Sequence, residues 1–382
     1  MRVVYARAPF PDRFASSLFL AGPTPRDEAV PSWRPEALRV LASLGYDGVV
    51  FVPESGDGSV RGDYTDQVEW EREALRLSDR IAFWVPRDLA TMPAFTTNVE
   101  FGTWASSGRS VLGFPPEAPK NRYLAWLAEV QGIPCRDTLE GTLRAALEPM
   151  IPAPREGGER FVPQLLWHTP GFQRWLQAQR AAGNRLDGAE PLWHRTVPRT
   201  GAVFLWVLGV KVWVASEGRH KSREVVLSRP DLSSVVLHGP LRGGATEVLL
   251  VREFRSPVRN AEGTVREFPG GSSDDPALSP DEVALEEVRE ETSLALEPSR
   301  LRPLGSRQAM ATLSSHHAHG YVAELTDDEL TRVRALCAEA TVLGVSASER
   351  ITLELRTVAS ILGDRDVDWS TVGLLAQALW RP

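Results

Sequence analysis

Short apolar runs alternate with amphipathic stretches over the first 150 residues, and this alternation restricts the fold more than any other feature of the sequence. Residues 17–21, 49–52, 81–85 and 110–114 are near-continuous apolar runs of strand length. Residues 33–44 place Leu38, Leu41 and Leu44 at helical spacing, and residues 66–78 offer Val68 and Leu75 as inward positions. A further helical stretch separates the last two strands, and others follow near 121–131 and 138–147. Strand alternating with helix predicts a doubly wound α/β fold, a parallel sheet covered on both faces. Ligands of such sheets sit beyond the carboxyl ends of the strands, here at 22–23, 53–54, 86–97 and 115–116.

With 382 residues the chain exceeds one ordinary core. Four prolines and the pair Gly157-Gly158 lie within 149–163, a linker composition. The expected organisation is a first domain over 1–150, a connecting segment rich in Trp and Arg over 151–200, and a second domain over 201–382. Strands are expected there at 202–208, 210–215, 224–227 and 246–252, before a glycine pair, a helix and a final β-α section. The net charge of −7 offers no overall basic field, so neither nucleic acid nor a membrane is an expected partner. Cys135 and Cys337 are far apart and form no CxxC pair, which argues against a thiolate zinc site and for a reducing compartment. The N-terminal stretch carries no long apolar run, so a cytoplasmic location is expected.

Two patterns carry chemistry. In the second domain, Glu267-Phe268-Pro269-Gly270-Gly271 precedes a helix expected to begin at Pro280, with Ser279 as N-cap and Glu282 closing a capping box. Glu287, Glu290 and Glu291 then fall three and four residues apart and predict one acidic helix side. Oxygen ligands of this kind suit Mg²⁺ or Mn²⁺; a solvated acidic face is the other reading. The run resembles the Nudix hydrolase box, with Glu287, Val288, Glu290, Glu291 and Leu294 on its positions. Glu286 stands where the box has arginine, and Ser293 where it has its late glycine. The flanking segments 249–258, 347–355 and 367–376 resemble the ADP-ribose pyrophosphatase branch. This resemblance implies an α/β/α sandwich with a mixed sheet and a metal held at Gly270, Glu287, Glu290 and Glu291. It implies Glu349 and Glu291 as catalytic groups and Arg252 and Arg255 as diphosphate ligands. Glu349 also reads as an ordinary loop glutamate. Because Arg252 and Arg255 are three apart, an ideal strand points them to opposite faces. Cleavage of a nucleoside diphosphate follows as the expected reaction, giving AMP and a sugar phosphate from ADP-ribose. His316-His317-x-His319 reads as a polar loop before a strand.

In the first domain, Leu18-Phe19-Leu20-Ala21-Gly22-Pro23, Trp70-Glu71 and Thr97-Asn98-Val99-Glu100 resemble the nucleoside 2-deoxyribosyltransferases and related N-glycosidases. That resemblance implies Glu100 as the nucleophile at the anomeric carbon, with Gly22, Pro23, Glu71 and Asn98 around the substrate. Thr97-x-x-Glu100 is also a capping-box pattern, which would place Glu100 in a first helical turn and favour its ionised form. Ala94 stands where these transferases often have an aspartate. Together the two resemblances imply a bifunctional enzyme of nucleotide metabolism, with a small-molecule nucleotide substrate, Mg²⁺ or Mn²⁺, and a homodimer or larger assembly. The alternative is a catalytically degenerate domain that binds ADP-ribose or a related nucleotide as a sensor.

Overall fold

The computed structural model describes residues 1–380 except 27–28, 57–63, 198, 274, 276 and 344–349. The chain separates into two compact units, one of residues 1–195 with 206–226 and the other of 196–205 with 227–382.

The first unit is built on six parallel strands: β1 (Arg2–Tyr5), β3 (Ser17–Ala21), β4 (Val49–Val52), β5 (Arg80–Trp84), β6 (Ser110–Gly113) and β7 (Cys135–Arg136), in the order β1-β4-β3-β5-β6-β7. Alternate residues of each strand feed opposite faces. Phe19, Phe51, Ile81, Phe83 and Leu112 pack with α2 (Tyr64–Leu77), α3 (Phe95–Trp104) and α4 (Arg122–Val130). Leu18, Leu20, Val50, Ala82 and Val111 pack with α1 (Arg34–Ser43) and α5 (Leu139–Leu147). The fold is therefore a doubly wound α/β sheet. The chain leaves β3 toward β4 over one face and returns to β5 over the other, which opens a crevice beyond the carboxyl end of β3. Val68 is turned outward, 44% exposed, whereas Leu75 is buried together with Trp70, Ala74 and Leu77.

Residues 155–181 are folded rather than a loose connection. Arg13–Phe14 (β2) pairs with Arg155–Glu156 (β8), and α6 (Gln164–Trp167) and α7 (Pro170–Ala181) follow, burying Leu166, Phe172 and Leu176. Asp79 anchors this segment. It accepts from Arg155 Nη1 (2.7 Å) and from the backbone N–H groups of Ser17 (2.9 Å) and Gln164 (2.9 Å). Both side chains of the Asp79–Arg155 pair are buried. Removing one partner of such a pair strands a buried charge, so Asp79→Ala is expected to lower the stability of this unit by about 3–5 kcal/mol. Urea unfolding followed by tryptophan fluorescence checks this; an unshifted midpoint would contradict it.

Beyond α7, β9 (Arg185–Thr196), β10 (Val203–Val214) and β11 (Arg219–Ser228) form a sheet in the order β11-β10-β9. The two strands expected at 202–208 and 210–215 are thus one, since Gly209 continues the extended backbone.

The second unit holds a mixed seven-stranded sheet. Its main path is β14 (Thr264–Glu267), β13 (Glu247–Phe254), β12 (Leu232–His238), β17 (His317–Glu324) and β16 (Arg302–Gln308). β15 (Gly270–Gly271) pairs with β12, and β18 (Thr352–Thr357) with β13. Val235, Leu237, Leu249 and Val251 face α8 (Pro280–Thr292) and α9 (Asp327–Ala338). Val236, Val248 and Leu250 face α10 (Val358–Gly363) and α11 (Trp369–Leu379). Helices on both faces make it a three-layer α/β/α sandwich. Ser279 caps α8 and Pro280 opens it, and the Ser279 N–H donates to Glu282 Oε2 (2.8 Å). Among the described residues no helix is long and apolar enough to cross a membrane.

Candidate functional sites

Beyond the carboxyl ends of β3 and β4, one cation meets three carboxylates. Arg34, at the start of α1, is buried. It donates from Nε to the Leu20 carbonyl (3.2 Å), from Nη2 to the Gly22 carbonyl (2.6 Å), and from Nη1 to Thr24 Oγ1 (3.0 Å) and to Glu54. Glu54 also accepts from Ser32 Oγ (2.9 Å). The charges of Glu71, from α2, and Glu100, from α3, act on the same guanidinium. Glu71 accepts from Gln67 Nε2 (2.9 Å), yet burial raises its pKa above the ordinary carboxylate value. Burial foremost, and then the charge of Glu71, push Glu100 up to about 7, with Arg34 opposing.

One expectation changes here. Helix α3 starts from Ala94, which adopts a left-handed backbone (φ 60°), so Glu100 lies in the second turn and Thr97 forms no capping box with it. Its carboxyl is consequently not held ionised by the helix start. Asn98 is two residues from Glu100, about 200° round the helix. Its Oδ1 accepts from Arg87 Nη2 (2.6 Å), and Arg87 Nε donates to Asn121 Oδ1 (3.0 Å). Asn98 is thus engaged away from the carboxylates.

Gly22 and Pro23 do lie at the crevice. Gly22 has φ 154°, and a Cβ there would fall 2.1 Å from the Trp84 carbonyl oxygen, so only glycine fits. The Pro23 carbonyl accepts from Trp33 Nε1 (3.1 Å), and Trp33 stacks on Arg34. Sequence reasoning missed Arg34 and Glu54. The signal available was Ser32-Trp33-Arg34 opening a helix after the Gly-Pro turn, with Glu54 directly beyond the next strand.

The sequence model of the family described as "nucleoside 2-deoxyribosyltransferase like" matches residues 15–118. The first unit is nucleoside 2-deoxyribosyltransferase-like over that span. The match contains Gly22, Pro23, Arg34, Glu54, Glu71 and Glu100. No curated protein matches the chain.

The second unit gathers carboxylates around α8. Glu291 is buried, and its Oε2 accepts from the Gly270 N–H (2.9 Å). Burial pushes its carboxyl up to about 8; the Gly270 bond opposes this, and Glu287, Glu267 and Glu253 reinforce it. A Cβ on Gly271 would lie 2.2 Å from Glu287 Oε1, so the glycine makes room for that carboxylate. Glu290 is instead turned to Arg289 (3.5 Å), and Glu286 is exposed. Of the three predicted glutamates, Glu287 and Glu291, four residues apart, lie against the Gly270-Gly271 turn. Strand pairing adds Glu267, opposite Val251, and Glu253, opposite Val265.

Arg255 bridges Glu253 (2.9 Å) and Glu267 (3.2 Å). Arg252 binds Glu262 (3.0 Å) and lies 3.7 Å from Glu354, so the two arginines diverge as their spacing predicts. Arg229 donates to Ser272 Oγ (2.8 Å) and feels the charges of Arg255, Glu267 and Glu287. Ser293 ends α8 with φ 59°, the left-handed conformation that glycine adopts most readily. Glu349 lies outside the described residues. Among the described residues, no three His, Cys, Asp or Glu side chains are gathered into a metal-holding group.

Proposed function

We propose that the first unit cleaves the N-glycosidic bond of a nucleoside or nucleotide, with Glu100 as nucleophile. The observation that carries this reading is the placement of Glu100 beside Glu71 and Arg34, at the crevice of a parallel sheet and inside the transferase-like span. Ionised Glu100 attacks the anomeric carbon, the bond to the base breaks, and the base leaves with a proton. Glu71, whose pKa burial raises, would hold that proton. The glycosyl ester on Glu100 then passes its sugar to water or to a second base. The loop 20–24, held by Arg34 and Trp33, would border the sugar. The test is incubation of the full chain with nucleosides, 2′-deoxynucleosides and their 5′-monophosphates, with chromatography of free base. Release from at least one class is expected, and release from none sinks the reading.

A second activity is supported by the acidic helix. We infer a Nudix-type hydrolase of a diphosphate such as that of ADP-ribose. Glu287 and Glu291, with the Gly270 turn beside them, would hold Mg²⁺ or Mn²⁺. The ion would supply counter-charge to phosphate oxygens and make a water more acidic. Arg255 and Arg229, whose charges act on Glu291 and Glu287, would face the phosphates, whereas Arg252 turns to Glu262. Both activities would act on nucleotide metabolites, at two different bonds.

A further inference from the structure

We propose that Arg34 is the positioning residue of the Glu100 site: it fixes the 20–24 loop and supplies the counter-charge that allows Glu100 to ionise beside Glu71. The proposal rests on the preceding reading of Glu100 as the reacting carboxylate. Its geometry is specific. One planar guanidinium reaches the Leu20 and Gly22 carbonyls, Thr24 Oγ1 and the Glu54 carboxylate at once. A lysine ammonium cannot span these directions. The adjacent Trp33 holds the Pro23 carbonyl, so two neighbouring residues at the start of α1 grip one loop. Gly22 cannot be replaced to compensate, because its backbone runs against Trp84.

The charge balance is equally constrained. Arg34 on α1 and Glu71 on α2 are the groups acting on Glu100; Glu71 in turn faces Gln67 and Arg7. Glu54 is bound to Arg34 directly and draws on the same positive charge. Removing Arg34 therefore takes away the cation that acts on Glu100, while Arg7 still acts on Glu71, and removing the charge of Glu54 frees more of the Arg34 charge for Glu100. The two changes must move Glu100 in opposite directions, which a purely structural arginine would not do.

The test uses the full chain as wild type, Arg34→Gln, Arg34→Lys and Glu54→Gln. Carboxyl ¹³C NMR follows the titration of Glu100, identified by the signal lost in Glu100→Gln. Base release is measured beside it. Arg34→Gln is expected to raise the Glu100 midpoint by about one pH unit, and Glu54→Gln to lower it by a smaller amount. Arg34→Lys is expected to keep the midpoint but lower kcat by about tenfold, because the loop is no longer gripped. An unchanged midpoint in a folded Arg34→Gln protein overturns the proposal. Should that variant fail to fold, an unchanged midpoint in Glu54→Gln overturns it. Midpoints that move as expected in a protein releasing no base would instead sink the glycosidic reading and leave the charge relation standing.

Discussion

Glu100→Gln is expected to abolish release of free base, by a factor on the order of 10³ or more, while the protein stays folded. The amide keeps the shape of the side chain and cannot form the glycosyl ester. The wild-type rate should depend on pH in a defined direction. Glu100 is held up to about 7, so it is mostly neutral in acid and ionised above that value. Base release should therefore rise as Glu100 ionises through about pH 7 and fall again where Glu71 loses the proton it supplies. Stability should move the other way. A carboxyl whose folded-state value exceeds the ordinary 4.5 contributes stability that is complete below pH 4.5 and is lost as the pH passes about 7. Glu100→Gln should thus match wild type at low pH and exceed it slightly at pH 8, by roughly 1 kcal/mol after allowance for partial exposure. Melting curves at pH 5 and pH 8 measure that difference. A variant that unfolds, or releases base at the wild-type rate, removes Glu100 from the chemistry.

In the second unit, Glu291→Gln should lower Mg²⁺-dependent hydrolysis of ADP-ribose by about 10²–10³-fold. Glu290→Gln and Glu286→Gln should stay close to wild type. Spacing alone treats Glu290 and Glu291 alike. Their surroundings do not, since Glu291 is buried against Gly270 and Glu290 lies beside Arg289. Glu291→Gln should also stabilise the protein as the pH rises toward 8, because the carboxyl it removes resists ionisation up to about that value. Production of AMP with and without EDTA, read beside melting curves, separates the cases. Equal rates for wild type and Glu291→Gln would contradict the site. ADP-ribose bound by wild type without hydrolysis would favour a sensor.

The parallel sheet was legible because both of its faces are covered, which leaves continuous apolar runs at 17–21, 49–52 and 81–85. The edge strand Arg2–Tyr5 was not, since its short, half-polar run resembles any loop. Leu232–His238 was missed for a similar reason: Ser233 and Ser234 break its apolar pattern, although Val235, Val236 and Leu237 are fully buried. The acidic helix was readable from Ser279, Pro280 and Glu282 because capping chemistry is local. Glu253 and Glu267 join its carboxylates through strand register, which spacing does not encode. Arg34 was hidden for the same reason. Its place after the Gly-Pro turn is a local signal, but the packing that brings Leu20, Gly22 and Glu54 onto it is tertiary.

The most direct measurement is mass spectrometry of the full chain after incubation with a 2′-deoxy-2′-fluoroarabinonucleoside. The fluorine slows loss of the sugar more than its arrival, so a glycosyl-enzyme accumulates. Glycosyl mass on the peptide containing Glu100, absent from Glu100→Gln, is the result expected here. Base released without any adduct and unaffected by Glu100→Gln, or an adduct on Glu71 instead, would contradict the account.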